Sequence, residues 1–93
     1  MAETNLLEET LTFLTEHDKT PEDVKWVGSR YGEYAITWQE FAALANTTIY
    51  DNGYGGQEIA SDLVVVGDDW WLAREGYDGS EAWVFCEQPR RSI

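Results

Sequence analysis

The residue types that most often carry out catalysis are scarce in this chain. It contains one histidine, His17, and one cysteine, Cys86. A His–Cys pair can activate a thiolate nucleophile, but neither residue lies in a local motif that favours this chemistry. One cysteine and one histidine also cannot complete the four-ligand shell of a structural zinc site. We therefore expect no catalytic residue, no metal ligand, no cofactor and no enzymatic activity.

Carboxylates are abundant and could in principle bind calcium or cleave glycosides. The segment Asp51–Glu58 has some likeness to a calcium-binding loop, but Gly53 and Gly55 occupy positions where oxygen ligands belong. A carboxylate pair for glycoside hydrolysis needs a cleft larger than a chain of 93 residues readily forms. We interpret 51–58 as a loop, and a small cation- or ligand-binding protein that uses it remains the alternative function.

The charge balance restricts the class of partner. The chain has 18 acidic residues against six basic ones and a net charge of −12. Such a chain is repelled by nucleic acid and by anionic membranes, so its electrostatic partners are basic proteins or cations. An acidic housekeeping domain, in which the charge serves solubility alone, is a further alternative.

Length and segment composition favour one small intracellular domain. A chain of this length forms a single domain, here residues 1–93. No apolar run approaches the roughly 20 residues needed to cross a bilayer, and the N-terminus lacks the basic region of a signal peptide. A lone cysteine is typical of a reducing compartment. We therefore expect a cytoplasmic protein.

Two helices are predicted. Asn5 can cap the first, over residues 5–17, in which Leu7, Leu11 and Leu14 recur at helical spacing with Phe13 beside them. Its acids fall off that stripe and make a solvent-facing acidic side: Glu8, Glu9 and Glu16.

The second predicted helix is short. Thr37 and Glu40 form a capping box that precedes residues 41–45. We expect Asn46 to end this helix in the left-handed conformation.

The remaining segments predict antiparallel strands. Residues 24–28 and 33–37 form one hairpin. The pair Asp78-Gly79 favours a type I′ turn, which places Leu72 opposite Phe85 and Arg74 opposite Trp83. A type II′ turn at Gly67-Asp68 would place Val65 opposite Trp70. The predicted fold class is α+β, with both helices packed on an antiparallel sheet that ends in a three-stranded meander.

Both faces of this meander are apolar. The first carries Leu63, Val65, Trp70, Leu72, Trp83 and Phe85, and the second carries Val64, Val66, Trp71, Ala73, Val84 and Cys86. A sheet that is apolar on both faces must bury both or leave one for a partner. We expect the two helices to cover one face each, with Trp71 the residue most open to contact.

The order of several short motifs resembles a family of small uncharacterised proteins of bacteria and their phages. The motifs are Gly55-Gly56-Gln57-Glu58-Ile59, Trp70-Trp71-Leu72 and Tyr77-Asp78-Gly79-Ser80-Glu81, within residues 24–88. The family has no established activity, so the resemblance assigns no functional residue. What it implies is a phage or mobile-element setting.

Charge, size and this resemblance lead to a functional hypothesis. We expect a non-enzymatic protein-binding module, such as a phage inhibitor of a host defence complex of the anti-CRISPR kind. Its carboxylates would mimic nucleic acid and occlude the basic, nucleic-acid-binding surface of a host protein or nucleoprotein complex, with aromatic anchors at the contact. The predicted contact residues are Glu8, Glu9, Glu16, Asp68, Asp69, Trp71, Asp78 and Glu81.

Overall fold

The computed structural model describes residues 3–51, 59–77 and 80–88. In chain order the elements are β1 (Glu3–Asn5), α1 (Leu6–Glu16), a 3-10 turn (Pro21–Asp23), β2 (Trp26–Ser29), β3 (Ala35–Ile36), α2 (Trp38–Ala45), β4 (Ile49–Asp51), β5 (Leu63–Val66), β6 (Trp70–Tyr77) and β7 (Ser80–Glu87). The main sheet has five antiparallel strands in the order β3-β2-β5-β6-β7, and β1 pairs with β4 in a separate two-stranded sheet. This confirms the α+β class and the C-terminal meander.

Hydrogen bonds to the backbone define both ends of helix α1. The side chain of Asn5 accepts a hydrogen bond from the backbone N–H of Glu8 at 2.9 Å, as expected of the cap. At the other end, Asp18 takes a positive φ of 59°, and the N–H of Lys19 turns back to the carbonyl of Leu14.

The buried stripe of α1 differs from the prediction. Leu6, Thr10 and Leu14 are buried, whereas Leu11 is 36% exposed. The hydroxyl of Thr10 donates to the carbonyl of Leu6 and accepts the indole N–H of Trp83 at 2.9 Å. The hydroxyl of Thr10 and the indole N–H of Trp83 are both hydrogen-bonded. Thr10 can therefore occupy the buried centre of the helix–sheet contact, where the sequence pattern predicted a leucine.

Helix α2 has the predicted start and a different end. The capping box of Thr37 and Glu40 is formed in both directions. The prediction for Asn46 is wrong, because this residue keeps right-handed helical angles (φ −62°, ψ −25°). The chain ends the helix with tighter backbone bonds instead, from Thr47 and Thr48 to the carbonyls of Leu44 and Ala45.

The β6–β7 register is as predicted, with Leu72 opposite Phe85 and Arg74 opposite Trp83. The β5–β6 register is not, since Val65 lies opposite Leu72 rather than opposite Trp70.

The position of Gly67 explains this shift. The two central residues of the turn are Asp68 and Asp69. Gly67 precedes them, and its N–H donates to the carbonyl of Trp70. The Trp70 ring lies over Gly67 so closely that a Cβ there would come within 2.1 Å of it. Glycine is therefore required for close packing, and the strand pairing moves by two residues while each side chain keeps its face.

Both helices pack on the first face of the sheet, which corrects the expectation that each would cover its own face. The core joins side chains of α1, α2 and that face: Leu6, Leu14, Phe41, Ala45, Val27, Leu63, Val65, Trp70, Leu72 and Trp83. On the second face Val64 and Ala73 are buried, while Trp71, Val84 and Cys86 are partly exposed. Neither described helix has the length and hydrophobicity to cross a membrane.

Candidate interaction surface

An open acidic groove runs along α1. It has a volume of about 400 Å³ and lies between α1 and β1. We call it the acidic groove, and its lining residues are Glu3, Thr4, Asn5, Glu8, Glu9, Thr12, Phe13 and Glu16. A turn of 100° per residue places Glu9, Phe13 and Glu16 on one flank of the helix, next to the buried position of Thr10. The groove therefore combines carboxylates with one aromatic ring.

Glu8 and Glu16 are exposed at opposite ends of this groove. Glu8 lies in the first turn of α1, where a negative charge favours the helix dipole. Glu16 is the last helical residue, where a negative charge opposes the helix dipole. No basic residue in the last turn of α1 offsets this charge. The helix dipole therefore explains why an acid is favourable at Glu8, but it does not explain the acid at Glu16.

Glu9 faces inward and belongs to a buried polar network. Its carboxylate accepts a hydrogen bond from the hydroxyl of Tyr50 at 2.5 Å and lies 3.4 Å from the guanidinium of Arg74. The side chain of Arg74 is fully buried. It also lies 4.7 Å from the ring centre of Trp83, the residue that was predicted to lie opposite it, and this contact is in the core.

Glu81 is a second internal partner of Arg74, which corrects its place among the surface residues. It is 3% exposed, and its carboxylate lies 2.8 Å from Nη2 of Arg74 and accepts the backbone N–H of Ile59. A buried guanidinium needs a nearby counter-charge. Because Arg74 occupies a core-facing strand position, the sequence contained a signal that one or more acids would turn inward.

This network shifts proton affinities. Burial, followed by the hydrogen bond to Glu9, raises the pKa of Tyr50 to about 12. Burial by itself would lower the pKa of Arg74, but hydrogen bonds with Tyr50 and Glu81 and the charge of Glu9 raise it overall. The network therefore holds a neutral tyrosine and a charged arginine between two carboxylates.

The other predicted contact residues lie on different surfaces. Asp68 and Asp69 are exposed in the β5–β6 turn, and Asp68 is 3.5 Å from the ammonium of Lys25. Trp71 is partly exposed on the second face, beside a shallow cavity of about 260 Å³ that Val64, Val66 and Arg30 also line. Asp78 lies outside the described residues, as does 52–58 of the loop interpreted at Asp51–Glu58.

A stack of rings connects the end of α1 to the β5–β6 turn. His17, next to Glu16, stacks on Phe85 at 4.4 Å, and Phe85 stacks on Trp70 at 6.0 Å. Trp70 directly follows Asp69 in sequence. Sequence reasoning missed this connection because it placed the helix acids and the turn acids in separate groups.

His17 and Cys86 do not form a catalytic pair. His17 stacks on Phe85, which points to the first face of the sheet. Cys86 is the next residue of β7, so its side chain points to the second face. Among the described residues, no group of three or more His, Cys, Asp or Glu side chains is arranged to hold a metal ion.

Comparison of the chain with protein-family models, curated proteins and solved structures finds no match. The resemblance to small phage proteins therefore stays a prediction.

Proposed function

We propose that this protein is a non-enzymatic, protein-binding module whose acidic surface occupies a basic, nucleic-acid-binding surface of a partner. In a phage or mobile-element setting the partner would be a host defence protein or nucleoprotein complex of the CRISPR kind. Binding would exclude nucleic acid by presenting carboxylates where phosphates otherwise lie.

The observation that carries this proposal is the division of the acids into internal and external groups. Glu9 and Glu81 neutralise the buried Arg74. Glu8 and Glu16 line an open groove instead, and the ring stack of His17, Phe85 and Trp70 leads from it to Asp69.

Charge of this kind suits a basic partner for physical reasons. Complementary potentials speed the encounter between two proteins and disfavour partners of like charge. With a net charge of −12, the chain repels phosphate and attracts surfaces that bind phosphate. The partly exposed Phe13 in the groove offers the apolar contact area that carries much of the affinity in protein interfaces.

The first experiment is retention of proteins from a nuclease-treated bacterial lysate on the immobilised chain, with elution by a salt gradient. We expect a basic, nucleic-acid-binding protein to be retained and then released by salt and by added DNA or RNA. Retention of no such protein from lysates of candidate hosts would refute the proposal.

A matched pair of variants separates a specific acidic surface from net charge. Glu8→Gln with Glu16→Gln removes two charges from the acidic groove, whereas Glu22→Gln with Glu33→Gln removes two exposed charges outside it. The groove variant should bind about tenfold more weakly, equivalent to about 1.4 kcal/mol, and the control should bind almost normally. Equal losses would mean that charge acts only in bulk.

A further inference from the structure

We propose that the outer edge of β7 binds an extended, lysine- or arginine-bearing segment of a partner protein as a sixth strand of the main sheet. This inference rests on the proposed function and specifies how the partner docks. Strand addition of this kind supplies affinity through main-chain hydrogen bonds and specificity through alternate side chains.

The hydrogen-bond pattern identifies which backbone groups of β7 point outward. The N–H of Gln88 donates to the carbonyl of Asp69, so Gln88, Cys86 and Val84 direct their backbone groups toward β6. The alternate residues Trp83, Phe85 and Glu87 direct theirs away from the sheet. In the described part of the chain, β7 pairs with β6 alone.

Strand β7 lacks several of the features that usually block a sheet edge, although Glu81 near its start is a buried, inward-pointing charge. Its eight residues, Ser80–Glu87, include no proline and no lysine. They pair with β6 in continuous register, without a bulge. A long, regular edge strand of this kind is a template for another strand unless something covers it.

The charge beside this edge selects the kind of strand that would bind. Helix α1 lies over β7 on the first face of the sheet, where Thr10 contacts Trp83 and His17 contacts Phe85. Glu9 and Glu16 lie next to these contacts on one flank of α1, and α2 packs over β2 at the far side of the sheet. The flank of α1 that carries Glu9 and Glu16, and with it the acidic groove, therefore faces the β7 edge.

The strand itself adds to this charge. Glu87 is exposed at the end of β7, and Glu75 is exposed on β6. An added strand with basic side chains meets carboxylates from the helix and from the sheet. A second copy of this chain would bring another net charge of −12 to the same edge, which disfavours it as the occupant.

The test uses amide hydrogen exchange of the full chain, measured by NMR. The probe is a capped ten-residue synthetic peptide in which lysine alternates with valine and threonine, and the control peptide has glutamate in place of lysine. In the free chain the amides of Trp83, Phe85 and Glu87 should exchange fast and those of Val84 and Cys86 slowly. The lysine peptide should slow the three fast amides about tenfold when it occupies nine-tenths of the sites.

Cys86 allows a backbone variant that leaves every side chain in place. Residues 86–93 can be supplied as a synthetic peptide ligated at Cys86, with an N-methyl group on Glu87. This removes one outward donor and should weaken peptide binding about tenfold, whereas Glu87→Gln, which keeps the donor, should weaken it much less. N-methylation of Gln88, which removes an inward bond, controls for lost stability.

Three results would overturn the inference. One is peptide binding without slowed exchange at Trp83, Phe85 and Glu87, which would mean a side-chain contact at the groove and leave the proposed function standing. Another is no slowing at about 1 mM peptide, where a site with a Kd of 1 mM is half occupied. The third is a free chain that already protects these amides and has the mass of a dimer, which would assign the edge to a second copy.

Discussion

At the scale of single residues, the decisive side chain is Arg74. Among the described residues it is the buried cation of the core, and it contacts Glu9, Glu81 and Tyr50. Among the described residues, its Nε atom has no hydrogen-bond partner. Because the arginine captures two acids, the exposed acidic surface is smaller than the sequence implies and has a defined position.

We predict that Glu81→Gln destabilises the fold. The substitution leaves the charge of Arg74 buried with a single partly buried carboxylate, Glu9, beside it. Breaking a buried ion pair from one side costs about 3–5 kcal/mol, and urea unfolding measures this loss. The matched control is Glu75→Gln, an exposed position on β6, which should change stability by less than about 0.5 kcal/mol. Similar losses in both variants would contradict the assigned role of Glu81.

We predict that the fold loses stability in strong alkali through Tyr50. Its pKa is raised in the folded chain from 10.0 to about 12, so the neutral phenol is favoured by folding. The stability from this group is complete below pH 10 and decreases as the pH rises toward 12. Thermal unfolding across this range should show a decline that Tyr50→Phe reduces. An unchanged decline in Tyr50→Phe would show that other groups cause it.

At the scale of elements, helix caps and strand faces could be predicted because they depend on local chemistry. The Asn5 cap, the Thr37–Glu40 box and the β6–β7 register all follow from side chains within a few residues of each other. The β5–β6 register could not be derived in this way, because it depends on Trp70 packing over Gly67. The pairing of β1 with β4 joins segments far apart in sequence and had no local signal.

The packing at Gly67 gives a direct test of that register. We expect Gly67→Ala to cost about 1–3 kcal/mol, because the new methyl group overlaps the ring of the buried Trp70. Urea unfolding would report the loss, and near-ultraviolet circular dichroism would report the displaced indole. Asp68→Ala at the adjacent exposed position serves as the control. A stable Gly67→Ala with an unchanged Trp70 environment would refute this packing.

The end of α1 provides a prediction that separates stability from function. Glu16→Gln removes a charge that opposes the helix dipole, so it should raise stability by about 0.3–1 kcal/mol. Under the proposed function it should also weaken binding of a basic partner. Thermal unfolding and binding measured on the same preparation would test both. Lower stability together with unchanged binding would contradict this account of Glu16.

At the scale of the whole molecule, the two described helices cover the same face of the main sheet. The alternation of side chains along the strands indicated two apolar faces, but the face on which each helix packs depends on long-range contacts that this alternation does not encode. Both helices pack on the first face, and Trp71 is partly exposed on the second face. Binding at the acidic groove and the β7 edge would therefore not use Trp71 on the second face.

The most direct test of the central claim measures competition for a partner's nucleic-acid site. A basic protein retained from lysate is purified and bound to a fluorescent oligonucleotide, and the chain is titrated in while anisotropy is recorded. We predict displacement of the oligonucleotide, with Glu8→Gln/Glu16→Gln about tenfold weaker than the Glu22→Gln/Glu33→Gln control. Binding of the chain without displacement of the oligonucleotide, or equal potency of the two variants, would contradict occlusion by the acidic groove.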